Sequence, residues 1–299
     1  MKAMDQNLAA EVLRWQEKLF QRSVRRQARF RKIKHLVGVT SNQDCLEVTS
    51  GDGVISQQLR LDGGIWTTLA SSHDAQASLD YFVPQAKVLD GETIDAPDGS
   101  FDLVVIIDAL ERIRDDHGFI KECHRVLKPD GRLVVTAARK MNFSVGGGPL
   151  RALLGQSWKR RGMERPGYTA HGFFDVLKDG FDVPETNSYS TCLVEVPGLI
   201  CEAAANMLAG RPYTMPPAHA DTEQFYHYTK LYALGTAVYP LMWLFAKIDR
   251  VLQMILPGHN MVAKTKRRVW RERRAPVLID GRSIAEAALN TKIGTAAPF

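Results

Sequence analysis

Two stretches of this sequence are apolar along almost their whole length, and they constrain the fold more than any other feature. "FDLVVIID" spans residues 101–108 and "GRLVVTA" spans residues 131–137. A strand with one face in water alternates apolar and polar residues, whereas a strand covered on both faces is continuously apolar. Both stretches therefore predict central strands of a sheet with helices on both sides.

The sequence around these strands alternates between strand and helix patterns. Strands are predicted at 44–49, 65–70, 86–90, 102–108 and 131–138, and helices near 54–61, 73–82 and 115–127. This alternation indicates a doubly wound α/β domain with a mostly parallel sheet. "FDVPETNSYS" and "TCLVEVPG" then read as two further strands that close the sheet as a hairpin, so that the sheet domain ends near Pro197.

This interpretation divides the chain into four parts. Residues 1–40 are a basic amphipathic helical cap, and residues 41–197 are the sheet domain. Within that domain, 141–170 contains three consecutive glycines and a basic cluster and is expected to be a lid or insertion over the strand ends. Residues 198–274 form an apolar and basic helical region, and residues 275–299 form a weakly ordered tail.

Positive charge is concentrated in two segments. Residues 1–40 carry ten Lys and Arg against three acidic residues, and residues 247–274 carry nine against two. The net positive charge of the chain therefore comes from two local segments rather than from the whole surface. A nucleic-acid partner is not expected. The N-terminal helix is either a cap with a solvated basic face or a contact for anionic lipid or another acidic partner.

The segment 225–256 is the most apolar part of the chain. Residues 231–246 contain no charged residue, but a spanning helix needs about 20 apolar residues. Tyr239, Trp243 and the basic "KTKRRVWRERR" that follows favour an element lying in an anionic membrane surface. Packing against the sheet domain or a partner protein is the main alternative, and a spanning helix is a third.

The four cysteines indicate a reducing compartment. They show neither close pairing nor the spacing of a zinc site, and the first residues lack the apolar core of a secretory signal. We therefore expect a cytoplasmic protein without a metal site, peripheral on the inner face of the cell membrane.

The stretch "LEVTSGDG" at 46–53 has the form of a ligand-binding turn between the first strand and its helix. In an open parallel sheet, ligands bind beyond the carboxyl ends of the strands. Gly51 and Gly53 leave the backbone accessible, and amide groups that begin a helix suit a carboxylate. Glu47 suits an ammonium group and disfavours a phosphate. S-adenosylmethionine carries both an ammonium and a carboxylate.

Three stretches together resemble the class I S-adenosylmethionine-dependent methyltransferases, in particular bacterial type 11-like members. They are "LEVTSGDG", "VLDGETIDAPDGSFDLVV" and "DALERIRDDHGFIKECHRVLKPDGRLVV". The resemblance covers about a third of the chain and implies a Rossmann-like seven-stranded sheet, S-adenosylmethionine as the cofactor and methyl transfer to a small-molecule acceptor.

The resemblance also implies the cofactor-binding residues. Glu47 would bind the methionine ammonium, Gly51 and Gly53 would let the backbone approach, and Asp90 with Gly91 would lie by the adenine. Asp108 would line the gap between the sulfonium and the acceptor. Methyl transfer depends mainly on positioning, so a strong base is not required; Asp108, Tyr168 and His171, with Arg165 beside them, are the catalytic candidates.

The sequence departs from the family pattern at the cofactor site. Thr49 stands in place of the first glycine of the loop, and Ala70 or Ser71 stands where an acid usually binds the ribose. Two functions follow from these features. One is a membrane-peripheral methyltransferase that acts on a lipid-linked or amphiphilic acceptor; the other is a catalytically inactive relative that serves as a scaffold or subunit of a membrane-associated complex.

Overall fold

The computed structural model of the protein describes residues 6–51, 53–140, 148–155, 157–209 and 222–271. Its strands are β1 (Asp44–Thr49), β2 (Ile65–Ala70), β3 (Lys87–Val88), β4 (Phe101–Ile107), β5 (Leu127–Ala138), β6 (Phe181–Tyr189) and β7 (Asn260–Arg267). They form one seven-stranded sheet in the order β3-β2-β1-β4-β5-β7-β6. The first five strands are parallel, and β7 is antiparallel to both β5 and β6.

The helices flank this sheet. They are α1 (Gln6–Gln21), α2 (Val24–Val37), α3 (Val54–Arg60), α4 (His73–Leu79), α5 (Asp116–Val126), α6 (Gly148–Leu153), α7 (Ala170–Leu177), α8 (Cys192–Ala209) and α9 (Thr222–Leu252), and a 3₁₀ turn spans Leu110–Arg112. The predicted doubly wound, mostly parallel α/β fold is confirmed. The predicted strand at 86–90 is shorter than expected because this edge strand pairs with β2 only at Lys87 and Val88.

The predicted C-terminal hairpin is wrong in its second strand. Residues 181–189 do form β6, but "TCLVEVPG" leads into α8, which continues beyond Pro197 to Ala209. A short apolar run cannot be assigned to strand or helix from periodicity alone. Here the run continues into "LICEAAANMLA", and its alanines favour a helix.

The antiparallel partner of β6 is β7, so the sheet does not end near Pro197. Residues 260–267 lie between β5 and β6 and pair with both strands. Met261, Val262, Ala263 and Thr265 are buried. Part of the basic "KTKRR" stretch is therefore the end of a central strand, and the predicted boundary between the sheet domain and a separate region 198–274 does not hold.

The two faces of the sheet bury separate apolar clusters. Leu103 and Val105 of β4 pack on the face covered by α2 and α3. Val104 and Ile106 pack on the opposite face with Phe119 of α5. Successive strand residues point to opposite faces, which explains why this strand is continuously apolar.

The N-terminal region forms two helices, and the second is part of the domain. The hydroxyl of Ser23 caps α2 by accepting from the backbone N–H of Arg26 at 3.4 Å. Ile33 and Leu36 of α2 are fully buried against the sheet. The predicted cap is therefore packed on the domain, and Arg29 of α2 pairs with Asp108 at the carboxyl end of β4.

Helix α9 contacts α1 and leaves apolar side chains in solvent. The rings of Trp15 and Tyr232 meet edge to face with centroids 5.4 Å apart. Leu241, Trp243, Leu244, Ile248 and Val251 are each between 45 and 60% exposed. No helix in the described ranges is long and apolar enough to cross a membrane. Residues 141–147 of the predicted lid and the whole predicted tail 275–299 lie outside the described residues.

Candidate active site

The carboxyl ends of the parallel strands meet at one edge of the sheet. The backbone N–H of Ser50 donates to the carbonyl of Ile107 at 3.2 Å, and that of Ser71 donates to the carbonyl of Thr49 at 2.9 Å. The N–H of Leu89 in turn donates to the carbonyl of Ala70 at 2.8 Å. The turns that follow β1, β2, β3 and β4 therefore lie side by side, and this edge holds most of the predicted cofactor residues.

Thr49 is the last residue of β1, where its extended backbone suits a β-branched residue. It is buried and lies between Ala70 and Ile107 in the sheet. Its hydroxyl accepts a hydrogen bond from the backbone N–H of Gly51 at 3.0 Å. The side chain that replaces the family's first glycine therefore binds the loop itself.

Gly53 begins α3 in the left-handed conformation, with φ of 84°. A Cβ at this position would lie 2.7 Å from Cδ2 of Phe82. Because both the backbone conformation and the close approach of the ring exclude a side chain, this position requires glycine. The tight turn that precedes α3 is thus retained although the first glycine is absent.

Glu47 is fully buried, and its carboxylate is enclosed by protein groups. The Ser56 hydroxyl donates to Oε1 at 2.5 Å, and Arg60 Nη1 lies 3.1 Å from Oε2. The Thr68 hydroxyl lies 3.3 Å from Oε2. The negative charge predicted to bind an ammonium group is therefore balanced by Arg60, a partner that no sequence pattern indicated.

The end of β2 places a hydroxyl where an acid is expected. Ala70 is fully buried, whereas Ser71 is half-buried and begins the turn into α4. Within the described ranges, the buried Ser71 Oγ has no hydrogen-bond partner. Asp90 and Gly91 follow β3 at the same edge and are exposed, and Gly91 has a φ of 61°. Ser71 rather than Ala70 is therefore the polar group at this position.

Asp108 follows β4 in a left-handed conformation with φ of 51°. Its backbone N–H donates to the Thr136 hydroxyl at 2.9 Å, and that hydroxyl lies 3.1 Å from Oδ1. Ser50 Oγ donates to its carbonyl at 2.5 Å. Oδ2 forms an ion pair with Arg29 of α2. Asp108 thus joins the β1 loop to α2, and left-handed residues of this kind are concentrated at functional sites.

Tyr168 and His171 have side-chain partners other than Asp108. The Tyr168 hydroxyl donates to Oδ2 of Asp116 at 2.7 Å and accepts from Arg165 at 3.0 Å, while its ring packs in the core. Burial raises the pKa of Tyr168. His171 is exposed and lies 3.1 Å from Asp175 on its own helix. The backbone N–H of Tyr168 donates to the carbonyl of Ala138 at the end of β5 at 2.8 Å, so this residue lies at the strand edge although its hydroxyl has other partners.

A cavity of about 90 Å³ lies between α2 and the ends of β4, β5 and β7. Five arginines line it: Arg25, Arg26, Arg29, Arg151 and Arg161. Its acidic lining residues are Asp108, Glu111 and Glu195. Of these charged lining residues, the sequence predicted only Asp108. The arginines of α2 resemble the solvent-exposed charges of any basic helix, and the other lining residues are far apart in the chain.

The two buried glutamates of this cavity differ in their electrostatic environments. Burial raises the pKa of Glu111, although its Oε1 accepts from the backbone N–H of Ala138. Burial would also raise the pKa of Glu195, but the charges of Arg25 and Arg151 outweigh it and hold that pKa below its ordinary value. Glu195 therefore serves as a buried counter-charge to Arg25 and Arg151, whereas burial disfavours the negative charge of Glu111.

A larger open depression of about 410 Å³ lies at the opposite edge of the sheet, near Gln43, Asp102 and Lys128. This edge holds the amino ends of β1 and β4. Ligands of open α/β sheets bind at the carboxyl ends of the strands. The site is therefore assigned to the edge of Asp108 and the β1 loop.

Known proteins share both the sequence and the fold of this domain. A family model described as a methyltransferase domain matches residues 46–135. The mitochondrial arginine-hydroxylase NDUFAF5 of Rattus norvegicus is 34% identical over 92 residues, which are 30% of this chain and 27% of that protein. A demethylmenaquinone methyltransferase of Tropheryma whipplei is 30% identical over 104 residues, which are 33% of this chain and 44% of that protein. The match thus spans less than half the length of these curated relatives.

Two solved structures have the same fold at low sequence identity. The [4+2]-cyclase SpnF has a TM-score of 0.52 and 18% identity, with 82% of this chain and 83% of that chain covered. A possible histamine N-methyltransferase of Thermotoga maritima has a TM-score of 0.51 and 13% identity, with 86% and 97% covered.

The family match coincides with β1 to β5 almost strand for strand. Its first residues include the loop in which Gly53 takes its left-handed turn. The sheet order and the sequence match point to the same family. Residues 46–135 therefore match a methyltransferase domain in sequence, and the sheet around them has the Rossmann-like class I methyltransferase fold.

Proposed function

We propose that the protein is an S-adenosylmethionine-dependent methyltransferase. The observation that carries the proposal is the coincidence of the family match at 46–135 with a strand edge that retains the glycine turn of the β1 loop. Gly51, Gly53, Ser71, Asp90 and Gly91 would hold the cofactor at this edge. Asp108 would lie between the sulfonium and the acceptor, next to the arginine-lined cavity.

We further propose that the enzyme acts at a membrane surface on an amphiphilic, lipid-linked acceptor. The exposed residues Leu241, Leu244, Ile248 and Val251 follow one another at intervals of three and four and so form one stripe along α9. The exposed Lys247 lies beside this stripe, with Nζ 4.8 Å from the centroid of the Trp243 ring. An apolar stripe flanked by cations fits the interface of an anionic bilayer.

A second candidate function is a catalytically inactive scaffold. Two contacts favour it. Arg60 donates to the Glu47 carboxylate, and the Thr49 hydroxyl accepts a hydrogen bond from the N–H of Gly51. Both groups would otherwise be available to the methionine end of the cofactor. The same fold also supports other chemistry, since one solved neighbour is a cyclase.

Calorimetric titration of the full chain with S-adenosylmethionine separates the two functions. The enzyme proposal expects saturable binding that is lost in Gly53→Ala, because a side chain there would close the turn against Phe82. Gly38→Ala is the matched control, since Gly38 also has a positive φ but lies outside the cofactor edge. Absence of heat and of any thermal shift at millimolar ligand would favour the scaffold.

A further inference from the structure

The arginine-lined cavity adjoins the position at which methyl transfer would occur. Asp108 lines the cavity. It also contacts the β1 loop, because the Ser50 hydroxyl donates to the Asp108 carbonyl. The volume of about 90 Å³ is well below the roughly 300–1,000 Å³ of pockets that enclose whole ligands. The cavity therefore has room for one functional group of an acceptor rather than for the whole molecule.

The charges that line the cavity do not balance. Five arginines face three carboxyl groups. Asp108 pairs with Arg29, and Glu195 pairs with Arg25 and Arg151. Burial raises the pKa of Glu111 and so disfavours its negative charge in this cavity. Several cationic groups brought together in a partly desolvated site are costly, and a bound anion relieves that cost.

Two arginines have donors that can meet such an ion. Arg29 is 20% exposed, and within the described ranges its buried Nε has no hydrogen-bond partner. Arg161 is an exposed lining residue on the turn after Ser157. Guanidinium groups bind carboxylates and phosphates through pairs of parallel N–H donors.

Glu111 supplies a third polar group. Its side chain is 2% exposed and lines the cavity, and its buried Oε2 has no hydrogen-bond partner among the described residues. A protonated carboxyl group donates a hydrogen bond to an oxyanion, whereas an ionised one would repel it. A proton on the unpartnered Oε2 of Glu111 would therefore favour the same ligand as the arginines do.

We propose that this cavity binds an oxyanion, a carboxylate or phosphate group, of the methyl acceptor through Arg29 and Arg161, with Glu111 as an additional donor. The proposal rests on the methyltransferase function proposed above and specifies its acceptor class. On binding, the anion competes with Asp108 for Arg29. An anionic acceptor thereby releases the Asp108 carboxylate at the position where the methyl group is transferred.

The test uses the full chain, with inorganic phosphate and acetate as probes. Isothermal titration with either anion at constant ionic strength is expected to show saturable binding, weakened about tenfold in Arg161→Gln and less in Arg161→Lys. Arg114→Gln is the matched control, because Arg114 is exposed and does not line the cavity. Protection of Arg161 from phenylglyoxal by the bound anion, read by mass spectrometry, locates the site.

Parallel titration with S-adenosylmethionine separates this inference from the proposed function. Anion binding that depends on Arg161 supports the oxyanion site even where the cofactor does not bind, and preference for phosphate or acetate identifies the acceptor group. Cofactor binding without anion binding overturns the inference alone. Equal anion affinity in wild type, Arg161→Gln and Arg114→Gln also overturns it, because the binding is then a general property of the basic surface.

Discussion

Arg60 of α3 lies with Nη1 3.1 Å from Oε2 of Glu47, a carboxylate that is fully buried in β1. Arg60 also donates to the carbonyl of Ser56 at 2.7 Å. The pair ties α3, which follows the β1 loop, to β1 itself. The acid of the loop motif therefore has a structural partner in addition to the ligand role that the family resemblance implies.

Removal of Arg60 is expected to destabilise the fold. Arg60→Met leaves the Glu47 carboxylate buried without a counter-charge, which costs about 3 kcal/mol of unfolding free energy. Arg60→Lys keeps the charge and is expected to cost less than half as much. Guanidinium unfolding monitored by circular dichroism measures both, and equal losses in the two variants would contradict the role of the ion pair.

A double-mutant cycle tests the requirement for glycine at position 53. Gly53→Ala is expected to lower the free energy of unfolding by about 1–2 kcal/mol because of the left-handed backbone. The contact of the new Cβ with Phe82 should lower it further. In a Phe82→Ala background, only the backbone cost should remain. Gly91→Ala is the control, since Gly91 has a positive φ and no atom lies within 4 Å of the place that its Cβ would occupy. An unchanged cost of Gly53→Ala in both backgrounds would exclude the steric contact.

Restoring an acid after β2 is expected to strengthen cofactor binding. Ser71→Asp places a carboxylate at a half-buried position beside the start of α4, where a ribose hydroxyl could donate to it. The expected gain in S-adenosylmethionine affinity is about tenfold. Ala70→Asp is expected to unfold the protein because position 70 is fully buried. Titration calorimetry measures the affinities; a gain at neither position would argue against ribose binding at this edge.

Glu111 is expected to make stability fall as pH rises. Burial raises its folded pKa above the unfolded value, so the folded state holds the proton more strongly. Its favourable contribution is complete below the unfolded pKa and is lost as pH rises through the folded pKa. Glu111→Gln should abolish this loss. If the unfolding free energy at alkaline pH rises by about 1 kcal/mol, Tm should rise there by about 2–4 °C, whereas Tm at acidic pH should not change. Parallel Tm curves for the two proteins would refute this assignment.

The membrane proposal is tested by vesicle flotation. Leu244→Asp with Ile248→Asp places two charges on the exposed stripe of α9 without disturbing the core. Binding of the full chain to vesicles containing anionic lipid is expected to fall at least about tenfold. Val39→Asp is the matched control, since Val39 is 73% exposed and lies outside α9. Equal flotation of both variants would show that α9 does not contact the bilayer.

The sequence predicted the first five strands because each of them is a continuous segment with its own pattern. The strands at 44–49 and 65–70 were predicted to the residue. β7 was missed because its apolar residues are interrupted by Lys264 and Lys266 and because its partners are distant in the chain. Its place in the sheet depends on pairing rather than on local pattern.

The candidate site shows the same limit. Gly51, Gly53, Asp90 and Asp108 could be found because they follow strands in a known order. Arg29 could not be assigned to Asp108, since 79 residues separate them and a basic helix carries many equivalent charges. Contacts between distant segments thus account for most of what sequence reasoning left out.

The central position of β7 has a consequence for synthesis on the ribosome. β5 ends at Ala138, but the strand that covers its outer edge begins only at Asn260. At about 5–20 residues per second, that edge stays open for roughly 6–24 seconds while the intervening helices are made. During this interval the apolar "LVVTA" edge can pair with another chain. Slow translation of residues 140–260 would therefore increase aggregation of nascent chains more than slow translation of the first 130 residues.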